Sequence, residues 1–262
     1  MEHVVDGKRV FAATGGQTFK SELPTVMFLH GAGMDHTVWT LQTRWFAHHG
    51  RNVVAVDLPG HGRSEGPPLA SIGALADWVV PFLDAAKIDK AALIGHSMGA
   101  LVAIETAARA PARIWALGLL GVADRMAVHP DLLKAARSGE EVAIRLVAAW
   151  GFGRRAHVGG AKAPGLWMLG GGVRLLERGR PGVLATDLAA CDSYVGAPEA
   201  ASRIRCPTLL VLAEMDRMTP PGAARGIERA IAGARTVVIG DAGHMMMVER
   251  PDDTLRALAD AV

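Results

Sequence analysis

Six short apolar segments recur along the chain, and each of them ends at a glycine or a polar residue. Their hydrophobicity is continuous and rich in Val, Ile and Leu, which is typical of strands buried on both faces of a parallel sheet. The segments lie at 25–31, 52–60, 91–97, 114–121, 207–214 and 236–244. Helix-type segments such as 70–87 and 98–109 separate most of them. This alternation predicts a layered α/β domain whose ligand site lies at the carboxyl ends of the strands.

The beginning and the middle of the chain depart from this alternation. Residues 3–13 form two short β-type runs around Gly7 and predict a hairpin. Residues 123–203 contain no strand-like run. We therefore predict one core domain built from 1–122 and 204–262, with a helical cap formed by the inserted segment 123–203 after the sixth strand.

The insertion itself has an interrupted helical pattern. The stretch 132–150 predicts helical structure. The glycine-rich stretches 158–165 and 169–173 predict turns between helical pieces.

The charges and the cysteines limit the classes of function. The chain has 28 Lys and Arg against 26 Asp and Glu, and they are interspersed, so no basic stripe indicates a nucleic-acid partner. No apolar run approaches the roughly 20 residues that a membrane span needs, and the first residues lack a signal-peptide pattern. Cys191 and Cys206 lack metal-ligand spacing and predict free thiols. We expect a cytoplasmic protein without a metal site.

The stretch GHSMG (95–99) fits the pattern G-x-S-x-G and lies between a buried-strand pattern and a helix-type run. A serine on such a sharp turn has a strained backbone, and the flanking glycines leave room for neighbouring backbone. The helix N-terminus also places partial positive charge beside it. We interpret Ser97 as a nucleophile; the alternative is a strand-to-helix turn without chemistry.

A serine hydroxyl is a weak nucleophile near neutral pH and needs a base. His244 is the best placed of the ten histidines, because it follows the last strand-like segment in a strand-to-helix loop. His96 adjoins the serine but must point away from the turn, so we interpret it as a supporting residue. His30 and His61 are interpreted as residues that brace loops.

The base needs a carboxylate to hold its tautomer. Asp216 follows the strand-like segment 207–214, which gives the chain order serine, acid, histidine. Two rivals stay open: Asp124, after an earlier strand, and Glu214, two residues before Asp216.

The oxyanion formed during acyl transfer needs hydrogen-bond donors. The backbone N–H of Met98, the residue after the nucleophile, supplies one. We expect the second from the N–H of Ala32, with Gly33 as the alternative, because Gly31 and Gly33 allow the loop to approach closely. The other possibility is that this loop is only a glycine-rich connection.

Together these residues resemble those of the α/β-hydrolase superfamily, in particular its esterases, lactonases and C–C hydrolases with a helical cap. The similar stretches follow the family's order: LHGAGMDHTVW (29–39), DLPGHGRS (57–64), GHSMG (95–99), LAEMDRMTPP (212–221) and GDAGHMMMVERPD (240–252). The resemblance implies a mainly parallel eight-stranded sheet flanked by helices, with the cap over the strand ends. It also implies hydrolysis through an acyl-enzyme formed on Ser97, with no metal or organic cofactor.

The substrate is expected to contact the insertion and the loops at the strand ends. Our candidate binding residues are Gly31, Gly33, Trp150, Trp167 and Met245. They favour a small or medium apolar ester, so carboxylesterase activity is the expected function.

Two alternatives remain for the function. The stretch DRMTPP resembles enol-lactone hydrolases of aromatic catabolism, so a lactone or C–C bond substrate is the first, and an inward arginine of the insertion would favour it. The second is a ligand receptor with little turnover. In the expected case the partner is a small-molecule ester or lactone, and the chain is a monomer or a homodimer.

Overall fold

The computed structural model describes residues 1–139, 141–160 and 167–261. Its strands are β1 (Glu2–Val5), β2 (Lys8–Ala13), β3 (Thr25–Leu29), β4 (Asn52–Val56), β5 (Ala91–His96), β6 (Ile114–Leu120), β7 (Thr208–Ala213) and β8 (Arg235–Ile239). They form one sheet in the order β1-β2-β4-β3-β5-β6-β7-β8.

Two of the strand pairs are antiparallel, β1 with β2 and β2 with β4, and the other neighbours are parallel. The β1–β2 hairpin turns at Asp6 and Gly7, which both have positive φ, 49° and 73°. Two such residues in a tight turn match the right-handed twist of the paired strands. The predicted hairpin and the mainly parallel eight-stranded sheet are confirmed.

Helices cover both faces of the sheet. They are α1 (Thr40–His48), α2 (Ile72–Ala85), α3 (Met98–Arg109), α4 (Pro130–Arg137), α5 (Glu141–Gly151), α6 (Arg154–His157), α7 (Met168–Glu177), α8 (Val183–Ser193), α9 (Ala197–Ser202), α10 (Arg225–Ala230), α11 (Met246–Glu249) and α12 (Pro251–Ala259). Alternate residues of β3 point to opposite faces of the sheet. Met27 and Leu29 join the apolar cluster under α2 and α3, and Val26 and Phe28 join the one under α1 and α12.

The insertion after β6 carries helices α4 to α9, and its described residues contain no strand. The helical stretch predicted over 132–150 is two helices, because the chain turns at Gly139, which has φ 69°. The amides of Ser138 and Gly139 bond the carbonyls of Lys134 and Ala136, each at 3.1 Å, and so end α4. The last helix, α9, packs against α3 and α10.

The turn predicted at 169–173 is wrong, since these residues lie inside α7. The glycines allow aromatic rings to pack closely against this helix. A Cβ on Gly172 would overlap the ring of Phe152, and one on Gly170 would overlap the ring of Trp167. Of the turn predicted at 158–165, only 158–160 belongs to the described residues. Among the described helices, none combines the length and apolar composition that a membrane crossing requires.

Candidate active site

Ser97 lies on the turn between β5 and α3, with φ 54° and ψ −118°. This left-handed backbone is strained for a serine, and such strain persists only where the surrounding packing imposes it. A Cβ on Gly95 would overlap the carbonyl group of Gly99, and a Cβ on Gly99 would overlap the carbonyl of Leu29. Both glycines of the GHSMG stretch are therefore needed for the close approach of α3 to the sheet.

The imidazole of His244 is joined to the carboxylate of Asp216. His244 Nδ1 donates to Asp216 Oδ2 at 2.7 Å, and both side chains are almost completely buried. Asp216 Oδ1 accepts the amides of Met218 and Thr219, each at 2.8 Å, and the Thr219 hydroxyl donates to Oδ2 at 2.8 Å. The carboxylate is thus held from both sides and oriented toward the imidazole.

The ionisation of Asp216 follows from its contacts. Burial alone would raise the pKa of Asp216, but the charge and hydrogen bond of His244, with those from Thr219, outweigh it and lower the pKa. Asp216 is therefore ionised near neutral pH and keeps the proton of His244 on Nδ1. His244 Nε2 is buried and has no hydrogen-bond partner among the described residues. This nitrogen is the atom available to accept a proton.

Two neighbours fix the position of His244. His96 Nε2 donates to the His244 carbonyl at 2.9 Å, and the two rings lie 4.6 Å apart. Burial and the neighbouring His244 hold the pKa of His96 well below its ordinary value, so the ring is neutral. Gly121, directly after β6, lets the His244 ring approach, since a Cβ there would lie 2.9 Å from Cε1.

The rival acids bind elsewhere. Asp124 accepts the amides of Gly226 and Ile227, each at 2.8 Å, at the start of α10. Glu214 accepts the amide of Asp241 at 3.0 Å. The structure therefore joins Asp216, and neither rival, to His244.

The loop after β3 carries both amides considered as the second oxyanion donor, those of Ala32 and Gly33. The Gly33 amide donates to the carboxylate of Asp187 at 2.8 Å, so it is already engaged. Ala32 lines the same cavity as Ser97 and His244. Within the described part of the chain, the amides of Ala32 and Met98 have no acceptor. Between the two alternatives left by the sequence, this geometry favours Ala32 over Gly33 as an oxyanion donor.

His30 holds the start of this loop. Its Nε2 accepts the Leu58 amide at 3.1 Å and its Nδ1 donates to the Gly31 carbonyl at 2.9 Å. Burial and the neighbouring His61 lower the pKa of His30 to about 4, so the ring is neutral. Gly31 itself packs on the ring of His96, where a Cβ would lie 2.9 Å from Nδ1.

A cavity of about 310 Å³ opens above Ser97 and His244, between the strand ends and the insertion. Most of its wall is apolar and comes from α4, α5, α7 and α8; the lining includes Met126, Leu132, Val147, Trp150, Phe152, Leu175, Leu176, Leu184, Leu188 and Met245. Among the described lining residues, Arg217 is the only one that is a Lys, Arg, Asp or Glu. The cavity therefore suits a largely apolar ligand.

The candidate binding residues fall into two groups. Trp150 and Met245 line the cavity. Trp167 caps the N-terminus of α7 with 65% of its surface exposed and is not part of the lining, so we leave it out of the binding site. Gly31 and Gly33 shape the loop and not the cavity wall.

Sequence reasoning missed three residues that support the site. Thr219 follows Asp216 by three residues, a spacing at which a side chain can bond a neighbouring turn, and this signal was readable. Asp187 had no local signal. Glu249 accepts the Gly243 amide at 3.0 Å beside His244 and the Gly153 amide at 2.9 Å in the insertion.

One cluster in the described chain has metal-ligand residue types. Ligand atoms of Asp35, His36 and Asp57 lie within 4.8 Å of one another. Asp57 Oδ1 already accepts the ring and the amide of His36, each at 2.8 Å, and Asp35 accepts the amide of Thr37 at 2.9 Å. These bonds fix the loop after β3.

Comparisons with known proteins identify the family and the fold. Residues 26–257 match the model of the alpha/beta hydrolase family. A pimeloyl-acyl-carrier-protein methyl ester esterase of Chromobacterium violaceum is 30% identical over 250 residues, which cover 90% of this chain and 93% of that protein. The enol-lactonase from Burkholderia xenovorans has a TM-score of 0.87 at 26% identity, covering 99% of this chain and 98% of that one.

A further relative matches over a shorter stretch. The dihydrolipoyllysine-residue acetyltransferase component of the acetoin cleaving system of Cupriavidus necator is 40% identical over 119 residues. The match covers 44% of this chain, and the chain spans only 30% of that protein's length.

Proposed function

This chain belongs to the alpha/beta hydrolase family, and we propose that it is a serine carboxylesterase for small or medium apolar esters. One observation carries the proposal. Asp216 fixes the proton of His244 on Nδ1, while the unpartnered Nε2 belongs to a histidine that lines the same cavity as Ser97. An imidazole that carries its proton on Nδ1 and has an unpartnered Nε2 can serve as a general base for a serine hydroxyl.

In the proposed mechanism, His244 Nε2 takes the proton of Ser97 as its Oγ attacks the ester carbonyl carbon. The tetrahedral oxyanion accepts hydrogen bonds from the amides of Ala32 and Met98. His244 then gives the proton to the departing alkoxide, the ester C–O bond breaks, and the acyl group stays on Ser97. A water molecule, deprotonated by His244, attacks this acyl-enzyme, and the acid leaves as Ser97 recovers its proton.

The cavity wall supports the substrate class. Its apolar side chains stabilise an acyl group by burying it. The wall comes mostly from 123–203, and we propose that this segment is a cap that selects the substrate over a core of 1–122 and 204–262. We also propose a cytoplasmic enzyme that acts as a monomer or a homodimer on small molecules.

A lactone or C–C bond substrate is the second candidate. The likeness to an enol-lactonase over nearly the whole chain favours it. The described cavity lining includes no arginine of the insertion, but Arg217, which follows β7, lines the cavity and has no ion pair among the described residues. An arginine in that place can pair with a carboxylate on the substrate.

The decisive test is a panel of short p-nitrophenyl esters, lactones and vinylogous diketones. It is run on the natural chain, on Ser97→Ala and on a control, Ser202→Ala, whose serine is exposed on α9. We expect ester turnover to fall by about 10⁶-fold in Ser97→Ala and to stay unchanged in the control.

Each other outcome has a defined meaning. Full ester turnover by Ser97→Ala would reject the mechanism. A single burst without steady-state turnover would favour the receptor alternative, and preferred turnover of lactones or diketones would favour the second candidate.

A further inference from the structure

We propose that Asp187, held in place by His61, is a positioning residue that fixes the oxyanion loop (residues 31–34) from the insertion. This inference rests on the proposed function. On this inference, the oxyanion hole forms only when α8 packs against the core.

Asp187 connects parts of the chain that are far apart in sequence. It lies on α8, its side chain is buried, and its Oδ2 accepts two hydrogen bonds. One comes from the Gly33 amide at 2.8 Å, across 154 residues, and one from His61 Nε2 at 2.7 Å, across 126 residues. Neither Asp187 nor His61 lines the cavity above Ser97, so neither is placed to touch the substrate.

Both ring nitrogens of His61 face acceptors. Its Nε2 lies 2.7 Å from Asp187 Oδ2 and its Nδ1 3.0 Å from the Pro59 carbonyl, an arrangement that favours an imidazolium donating from both nitrogens. Burial alone would lower the pKa of His61, but the hydrogen bond and charge of Asp187 outweigh it and raise the pKa. The protonated form of His61 makes a buried ion pair with Asp187, whose Oδ2 also accepts the Gly33 amide.

The loop is tightly packed where it contacts the insertion. Gly33 has φ 69°, and a Cβ on it would lie 2.8 Å from Leu184 and 3.2 Å from Leu176, so α7 and α8 pack directly on it. The Met34 amide bonds the Gly31 carbonyl at 3.2 Å and closes a turn. With the Gly33 amide bound to Asp187, the adjoining peptide of Ala32 has a set orientation.

A set orientation matters because oxyanion donors act by being in place before the charge develops. Loss of the bond to Asp187 would leave the Ala32 amide present but poorly aimed. A misplacement of about 1 Å can reduce the rate by as much as about 10²-fold. Since the oxyanion forms only in the transition state, substrate binding itself would change little.

The test replaces Asp187 by alanine, which removes the acceptor of the Gly33 amide and of His61 Nε2. Asparagine is unsuitable, because its oxygen in the place of Oδ2 would still accept from Gly33. The matched control is Asp124→Ala, since Asp124 also binds backbone amides, though at α10 and away from the loop. For each variant we would measure kcat and KM for p-nitrophenyl butyrate, the affinity for a trifluoromethyl ketone, and the unfolding temperature. The ketone forms a hemiketal oxyanion with the serine.

For Asp187→Ala we expect kcat to fall between about tenfold and about 10²-fold, with a parallel loss of ketone affinity and little change in KM. For Asp124→Ala we expect kcat and ketone affinity to stay within about twofold, even where the unfolding temperature falls. If Asp187→Ala does not fold, His61→Phe is measured instead. It keeps a ring of similar size but removes the donor that holds Asp187 Oδ2, and we expect kcat and ketone affinity to fall together.

A folded variant with unchanged ketone affinity overturns the inference, whatever its kcat. Ser97→Ala separates this from a failure of the proposed function. Ketone binding that disappears in Ser97→Ala but persists in Asp187→Ala overturns only the positioning role. A natural chain that does not bind the ketone, with an active Ser97→Ala, overturns both.

Discussion

Replacing Asp216 by asparagine tests the reasoning about the site most directly. In the natural chain Oδ1 accepts two amides, from Met218 and Thr219, while Oδ2 faces His244. The NH₂ of an asparagine cannot take the place of Oδ1, because it would face two donors. It therefore takes the place of Oδ2 and donates to His244 Nδ1. The imidazole proton then moves to Nε2, and the nitrogen needed by Ser97 no longer accepts a proton.

The magnitude follows from this forced change of tautomer. In a serine protease the equivalent replacement leaves the geometry intact and lowers kcat by about 10⁴-fold. We expect the same here, which corresponds to about 5.4 kcal/mol of activation free energy. KM should change little, since the proton transfer belongs to the transition state and not to substrate binding.

The assay is steady-state hydrolysis of p-nitrophenyl butyrate, with the unfolding temperature measured on the same samples. Asp124→Asn and Glu214→Gln are the controls, because both acids follow strands and neither contacts His244. Asp216→Asn with activity within tenfold of the natural chain would refute the assignment. A loss in Asp124→Asn as large as in Asp216→Asn would refute it equally.

Two further predictions concern the core residue Glu249, which binds the insertion at Gly153, and the packing of α7. Burial raises the pKa of Glu249 to about 7 from an ordinary value of 4.5, so across this interval the folded chain retains a proton that the unfolded chain releases. This group makes stability fall as pH rises from about 4.5 to about 7, by at most about 1.4 kcal/mol per pH unit. Glu249→Gln should remove that component from urea unfolding curves, and an identical pH slope in both proteins would contradict it. Gly172→Ala should lower the free energy of unfolding by about 1–3 kcal/mol, because the added Cβ overlaps Phe152. Gly171→Ala has open space around it and should raise the free energy of unfolding by up to about 1 kcal/mol. Equal urea midpoints for the two variants would contradict the packing argument.

The sheet was predictable because burial on both faces leaves a mark on local composition. In β3 every residue from Thr25 to Leu29 is buried, and the apolar run records this without any knowledge of the neighbouring strands. The candidate site was predictable for a related reason. Carboxyl ends of parallel strands meet at one edge, so polar residues that follow such strands converge there. Ser97, Asp216 and His244 follow β5, β7 and β8.

Local patterns failed where tertiary packing decided the conformation. The glycines at 170 and 172 favour a turn by local propensity, yet they lie within α7. There the rings of Phe152 and Trp167 occupy the space that larger side chains at 172 and 170 would need. Trp150 and Trp167 are the same residue type in one helical insertion, and only the orientation of the helices places the first in the cavity wall and the second at the surface.

The sequence by itself determined the α/β architecture and the residue types at the strand ends, since both depend on periodicity and on short-range order. That the Gly33 amide is already bound was visible only in three dimensions. Its acceptor is a carboxylate oxygen of Asp187, which lies 154 residues after Gly33 and reaches it because α8 folds back over the loop. A hydrogen bond between such distant residues depends on the whole packing of the insertion against the core, and no local pattern encodes it.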